Sequence, residues 1–228
     1  SFNEPVIISG FRDFWVDFLP NSQTITDNDT LDLAPESCDL AIHTLGLHWA
    51  NDIVGQLIQC RRALRPDGLF LAALFGGQTL HELRATLAQA ESDITGGLSP
   101  RVAPMAEIRD LGGLLQRAGF ALPVADNVAL TVSYPSPFHL MRDLRAMGET
   151  NALDGRLRRF TGRRILNRAA EIYVANHSTE DGKITATFDL VFLTGWSPDA
   201  SQQTPLRPGS AKSRLADALG VTENPLKH

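Results

Sequence analysis

Cysteine is scarce in this sequence, at two residues in 228, Cys38 and Cys60. Two unclustered thiols exclude a disulfide framework and a cysteine-based metal site, and the reduced thiols of a cytoplasmic protein are the expectation. Lysine is scarce too, three of 21 basic residues, so arginine carries nearly all the positive charge. With 26 acidic residues the formal net charge is -5, which supplies no long-range attraction to nucleic acid or an anionic membrane. Nor is there an apolar run near the ~20 residues that cross a bilayer. The most apolar stretch, Leu69–Phe75, is soon interrupted by Gln78 and His81. The opening from Ser1 lacks the basic start and apolar core of a signal peptide. No Ser–His–Asp arrangement, paired carboxylate site or metal cluster stands out, and a catalytic base is not readable.

What is present is enough apolar residue, 43% of the chain, to close one substantial core. Val6–Ser9 and Ser22–Thr26 read as strands flanking a short helix over Phe11–Leu19. Cys38–His43 and Leu69–Phe75 are apolar on both sides, as buried parallel strands are. Between them, Asn51 or Asp52 caps a helix running to Ala63, with Pro66–Asp67–Gly68 as its stop. Further helices are expected from Thr79, over Met105–Ala118, over Pro137–Met147 and over Ala152–Ala175 with a break near Gly162. Ala121–Tyr134 and Ile184–Trp196 read as two late strands. Strands alternating with helices specify a mostly parallel sheet covered on both faces, whose last strand slots in antiparallel. The domain is expected over residues 1–197, followed over 198–228 by a polar linker and a short helix, Ala211–Leu219.

The stretch from Cys38 to Gly77, a strand, a helix ending in Pro-Asp-Gly and a further strand, resembles the second half of class I S-adenosylmethionine-dependent methyltransferases. The resemblance sharpens at Leu47-His48-Trp49, at Phe75–Arg84, at Gly96–Arg101 and at Asp143–Asn151. These are similar to the branch that holds the malonyl-carrier methyltransferase of biotin synthesis and a mitochondrial complex I assembly factor. The resemblance implies an α/β, Rossmann-like methyltransferase fold with its N-terminal part shortened. It implies methyl transfer from S-adenosylmethionine to a protein or carrier-bound substrate. The rival is a binding or assembly protein on the same fold that has lost the cofactor.

In such folds the ligand lies outside the carboxyl ends of the strands, where a glycine-rich turn brings backbone amides to it. Here the first exit reads Ser9-Gly10-Phe11-Arg12, with one glycine, and the strand whose acidic end would hold the ribose is missing. Aligned through the strand that starts at Cys38, Asp27 and Asn28 take the place of the acidic turn that meets the adenine, although an Asp-Asn-Asp run is also ordinary turn chemistry. Gly10, Asp27, Asn28, His43, Thr44 and Leu45 are thus the implied cofactor contacts. His48, Trp49, Gly76 and Gly77 are the implied substrate contacts, with a core anchor the bland account of Trp49 and a tight turn that of the glycines. Arg142, Asp143, Arg145, Glu149 and Asn151 crowd a helix end and read as a solvated face.

Overall fold

The computed structural model describes residues 2–203. Six strands form one sheet: β1 Pro5–Ile8, β2 Gln23–Ile25, β3 Cys38–Thr44, β4 Leu64–Gly76, β5 Ala121–Tyr134 and β6 Ile184–Trp196, in the order β2-β1-β3-β4-β6-β5. The pairs β1–β2, β1–β3 and β3–β4 are parallel. The last strand, β6, enters between β4 and β5 antiparallel to both, as the sequence predicts. The helices are α1 Arg12–Val16, α2 Ile53–Ala63, α3 His81–Thr95, α4 Ile108–Arg117, α5 Pro137–Ala146 and α6 Arg163–His177. The helix predicted over Ala211–Leu219 lies outside the described residues.

Local chemistry explains most boundaries. Asp52 caps α2 by accepting from Gly55 N at 2.8 Å, and a Cβ on Gly55 would collide with that carboxylate. The glycine therefore lets the cap close. Replacing Asp52 by Ala should cost about 1 kcal/mol of stability, read from the denaturant midpoint; an unchanged midpoint would show the cap to be idle.

Pro66-Asp67-Gly68 does not stop α2, because the helix already ends at Ala63. Ser37 N and Glu36 N bond to Ala63 O and Arg62 O, and Leu64 pairs with Cys38, so the chain is captured as a strand before the proline. The helix predicted from Ala152 begins only at Arg163. Over 152–162 the Asn151 side chain competes with helix formation, accepting from Leu153 N at 3.2 Å and donating to Pro100 O at 2.8 Å.

One face of the sheet carries Val6, Ala41, Phe70, Ala72, Leu74, Val191 and Leu193 and is sealed by α2 and α4. Among the described residues, the opposite face is sealed only toward the carboxyl end of β4, where α3, α5 and α6 bury Phe75, Phe188, Ala186 and Ile184. Between that layer and β1, Ile42, Leu71 and Ala73 are half-buried although they lie on central strands. Beside them on the same face, Phe192 is 41% exposed and Val124 54%. None of these five belongs to either core. Among the described residues the expected cover on both faces is therefore incomplete, and the β1–β2 connection holds only the five-residue α1.

Candidate active site

Two sites stand at the carboxyl ends of the parallel strands. The first gathers the implied cofactor contacts at the exits of β1, β2 and β3. His43, fully buried near the end of β3, places Nε2 3.0 Å from Gln56 Oε1 and 3.4 Å from Asp27 Oδ1. Both neighbours are acceptors, which assigns the proton to Nε2 and leaves the buried Nδ1 without a partner among the described residues. Gln56 then donates to Asn28 O at 3.1 Å, so α2 ties the acidic turn to β3. Burial alone would raise the Asp27 pKa, but the hydrogen bonds from His43 and Gln56 outweigh it and hold the carboxyl below its ordinary 3.8. Gly46 has a packing reason, since a Cβ there would collide with Asp27 Oδ2.

Of the remaining contacts, Thr44 and Leu45 line a cavity of about 240 Å³ together with Ser9, Phe11, Phe14 and Trp15. Its two side-chain hydroxyls are already engaged: Ser9 Oγ accepts from Phe11 N at 3.0 Å, and Thr44 Oγ1 donates to Ile8 O at 3.2 Å. A Cβ on Gly10 would meet nothing within 4 Å, so no cradle closes around that glycine. The Asp27 carboxylate turns inward toward His43. These residues by themselves do not fit S-adenosylmethionine: they offer an aromatic wall without the amide cradle for its carboxylate or an acid for its ribose.

The second site is built around Glu149. Gly148, at φ +85, closes α5, with Gly148 N on Arg145 O and Glu149 N on Leu144 O. This is the reciprocal pattern of a glycine-ended helix and sets the direction of the Glu149 side chain. Across from it, Leu47–Trp49 form a single 3-10 turn after β3. His48 Nε2 lies 3.1 Å and Trp49 Nε1 3.3 Å from the same oxygen, Glu149 Oε1. Phe75 packs edge-on against the His48 ring, with 5.3 Å between centroids.

Trp49 and Glu149 line a cavity of about 400 Å³ whose walls include Leu80, Leu83, Met141 and Arg101. The loop after α3 that forms one wall is anchored by Glu91, which receives Arg101 Nε at 3.0 Å, Arg101 NH2 at 2.7 Å and Ser99 Oγ at 2.7 Å. Arg101 NH1 reaches Thr161 Oγ1 at 2.7 Å, closing the loop onto the segment before α6.

Of the implied substrate contacts, the structure brings Trp49 to the cavity and places His48 behind Glu149. Gly76 and Gly77 do not line it. A Cβ on either would come within 2.6 Å of a β6 side chain, Val191 or Asp189, so the glycines permit close approach of β6. Glu149 and Arg101 do not stand out as site residues in the sequence, because their partners lie 101 and 10 positions away. The signal that could find them is their position inside the Asp143–Asn151 and Gly96–Arg101 stretches that carry the family resemblance.

Comparison with known proteins agrees with this architecture. Residues 16–72 match the family model described as a methyltransferase domain. The mitochondrial arginine-hydroxylase NDUFAF5 of Dictyostelium discoideum is 43% identical over 188 residues, covering 82% of this chain and 43% of the relative. Its namesake in Danio rerio is 38% identical, covering 87% and 62%. A malonyl-[acyl-carrier protein] O-methyltransferase of Methylovorus is 34% identical, covering 78% and 58%. This chain thus spans less than two thirds of the length of the curated relatives it matches. Among solved structures, the YcgJ protein of Bacillus subtilis superposes with a TM-score of 0.50 at 12% identity, over 86% of this chain and 83% of that one. The expectation of a cytoplasmic protein is corrected by the arginine-hydroxylase relatives, whose names place them in the mitochondrion. Fold, family model and relatives agree on a methyltransferase-type fold: residues 16–72 match a methyltransferase domain, and the chain is similar to proteins named for arginine hydroxylation and for malonyl-carrier methylation.

Proposed function

We propose that this chain is part of an enzyme that modifies a side chain presented by a protein, with arginine as the target, and that the target enters the cavity beside Trp49. The observation that carries this reading is the cavity's place and size. It opens where β3 and β4 end, the side on which open α/β sheets bind ligands. Its volume of about 400 Å³ has room for one long side chain. Arginine is the choice because the relatives named for arginine hydroxylation are 38–43% identical.

A second reading is methyl transfer to a carrier-bound acid, supported by Arg145 and Arg156 on the cavity wall and by the relatives named for malonyl-carrier methylation. In that reading Gly10, Asp27, Asn28, His43, Thr44 and Leu45 are proposed contacts of a methyl donor whose carboxylate cradle and ribose acid they do not themselves supply. The assembly-protein rival predicts partner binding without turnover.

The test is calorimetry on the full-length protein with S-adenosylmethionine, S-adenosylhomocysteine, an arginine peptide and a malonyl carrier protein, followed by mass spectrometry of each after incubation. Arginine peptide binding at about 1 mM or tighter, with product heavier by one methylene when S-adenosylmethionine is present, or by one oxygen when dioxygen and a two-electron reductant are added so that the second oxygen atom leaves as water, supports the leading reading. Binding and modification of the carrier alone would replace it with the second. No modification of either by folded protein would sink both.

A further inference from the structure

We infer that Glu149 is the specificity-determining anchor for the cationic end of the target side chain, and that His48 and Trp49 are positioning residues that hold it; this rests on the reading that a protein side chain enters the cavity. The case begins with charge. Among the residues lining the cavity, Glu149 is the one carboxylate. Three arginines share the wall, but they are differently committed. Arg101 has its Nε, NH1 and NH2 engaged by Glu91 and Thr161. Arg156 donates through NH1 to Leu153 O at 2.9 Å. Arg145 lies on the exposed side of α5 and makes no ion pair with Glu149 within 4.0 Å. Among the described residues, therefore, no permanent cation pairs with Glu149.

The carboxylate is also pre-set. Its side chain is only 11% exposed, and His48, at 4%, stands beside it. Two ring N–H donors on the single atom Oε1 stop the carboxylate from rotating. Among the described residues Oε2 accepts no hydrogen bond, and it is not among the buried unpartnered atoms, so it remains open to the cavity. A nearly buried, unneutralised carboxylate oxygen is costly to keep unless a donor meets it.

A guanidinium meets it best. Its planar fork of donors can converge on the open Oε2, and its face can lie on the Trp49 ring. The apolar side chains of Leu80, Leu83 and Met141 then take the methylenes. A lysine ammonium satisfies the charge without the fork, and citrulline keeps the shape without the charge. The order of preference is therefore arginine, then lysine, then citrulline.

The test uses the whole chain and three synthetic peptides identical except for Arg, Lys or citrulline at the centre, titrated into wild type, Glu149→Gln and Trp49→Phe. The Gln variant retains an Oε1 that accepts from His48 and Trp49 while removing the charge. Wild type should bind the arginine peptide at least about tenfold tighter than the citrulline peptide, since one hydrogen bond to a charged group accounts for that factor. Glu149→Gln should erase the difference while leaving citrulline affinity unchanged. Trp49→Phe, which keeps the ring but loses its donor, should narrow the difference. A merely structural role for Glu149 would weaken all three peptides alike, and that result overturns the inference. Equal binding of arginine and citrulline by wild type overturns it too while leaving the proposed function standing. No binding of any peptide by folded protein overturns both. If the Gln variant fails to fold, Trp49→Phe decides: unaltered discrimination rejects His48 and Trp49 as the residues that set the carboxylate.

Discussion

Replacing Arg101 by Ala should destabilise the chain by about 3–5 kcal/mol, the range for removing one member of a buried, hydrogen-bonded ion pair. Arg101 is 13% exposed and its partner Glu91 4%, and the guanidinium fork meets both carboxylate oxygens. What the substitution leaves behind is a buried carboxylate whose partners among the described residues are Ser99 N and Oγ. The exposed pair Arg168–Asp93, with side chains 44% and 29% accessible, is the control, and Arg168→Ala should cost far less, because solvent screens an exposed pair. Urea denaturation of both variants checks the contrast; equal losses would mean that burial is not what makes the first pair matter.

The same pair gives stability a pH dependence. The Arg101 hydrogen bond is the largest cause holding the Glu91 pKa below its ordinary 4.5, burial opposes it, and Ser99 adds to the lowering. A carboxyl whose pKa is depressed on folding contributes stability above its unfolded pKa and loses it as pH falls through the folded value. Wild type should therefore weaken below about pH 4.5. In Arg101→Ala burial acts unopposed by that cation, so the acid-side loss that Glu91 contributes should shrink, and should reverse into a gain where its folded pKa exceeds the unfolded one. Because Arg101 also holds Thr161, the cavity wall should loosen with it, and peptide binding should fall in the same variant.

The late strands are legible in the sequence because their pattern is local. Ala121–Tyr134 and Ile184–Trp196 alternate over long runs bounded by Gly119 and Gly182, both at positive φ, and the structure has β5 and β6 over those residues. The start of α6 is not legible, because helical spacing over 152–162 carries no trace of Asn151 binding Pro100, a contact 51 positions away. Glu149 reads as part of a solvated face for a similar reason: Gly148 can be recognised as a helix stop, but nothing local says that the next side chain folds back onto a turn 100 residues earlier. Asp27 and His43 both belong to the expected strand exits, and the structure joins them, yet their mutual orientation depends on Gln56, which reads as an ordinary helix residue. The uncovered sheet face is hidden most completely. Apolar residues on a central strand state that a layer is wanted on each side, but they do not say whether this stretch of chain brings it.

That face gives the second large expected effect, a contrast between two phenylalanines on neighbouring strands. Phe70 on β4 is fully buried under α2 and α4, and its ring stacks on Phe120 with 4.9 Å between centroids. Phe70→Ala leaves a cavity that the tight surroundings cannot refill: a Cβ on Gly195, paired with Phe70 across β4–β6, would already sit 2.9 Å from Phe120. The expected loss is about 3–5 kcal/mol. Phe192 on β6 pairs with Ala73 and points to the opposite face, where it is 41% exposed. In a sheet covered on both faces its truncation would cost as much. Here it should cost about 1 kcal/mol or less, because much of its surface already meets water. Both losses are read from denaturant midpoints of the 228-residue chain. Equal costs would show that Phe192 is buried in solution by another layer, and light scattering would then tell whether that layer is a second copy of the chain. A small cost for Phe192 alone leaves Ile42, Leu71 and Val124 as a contiguous apolar surface of the kind that soluble monomers rarely leave bare.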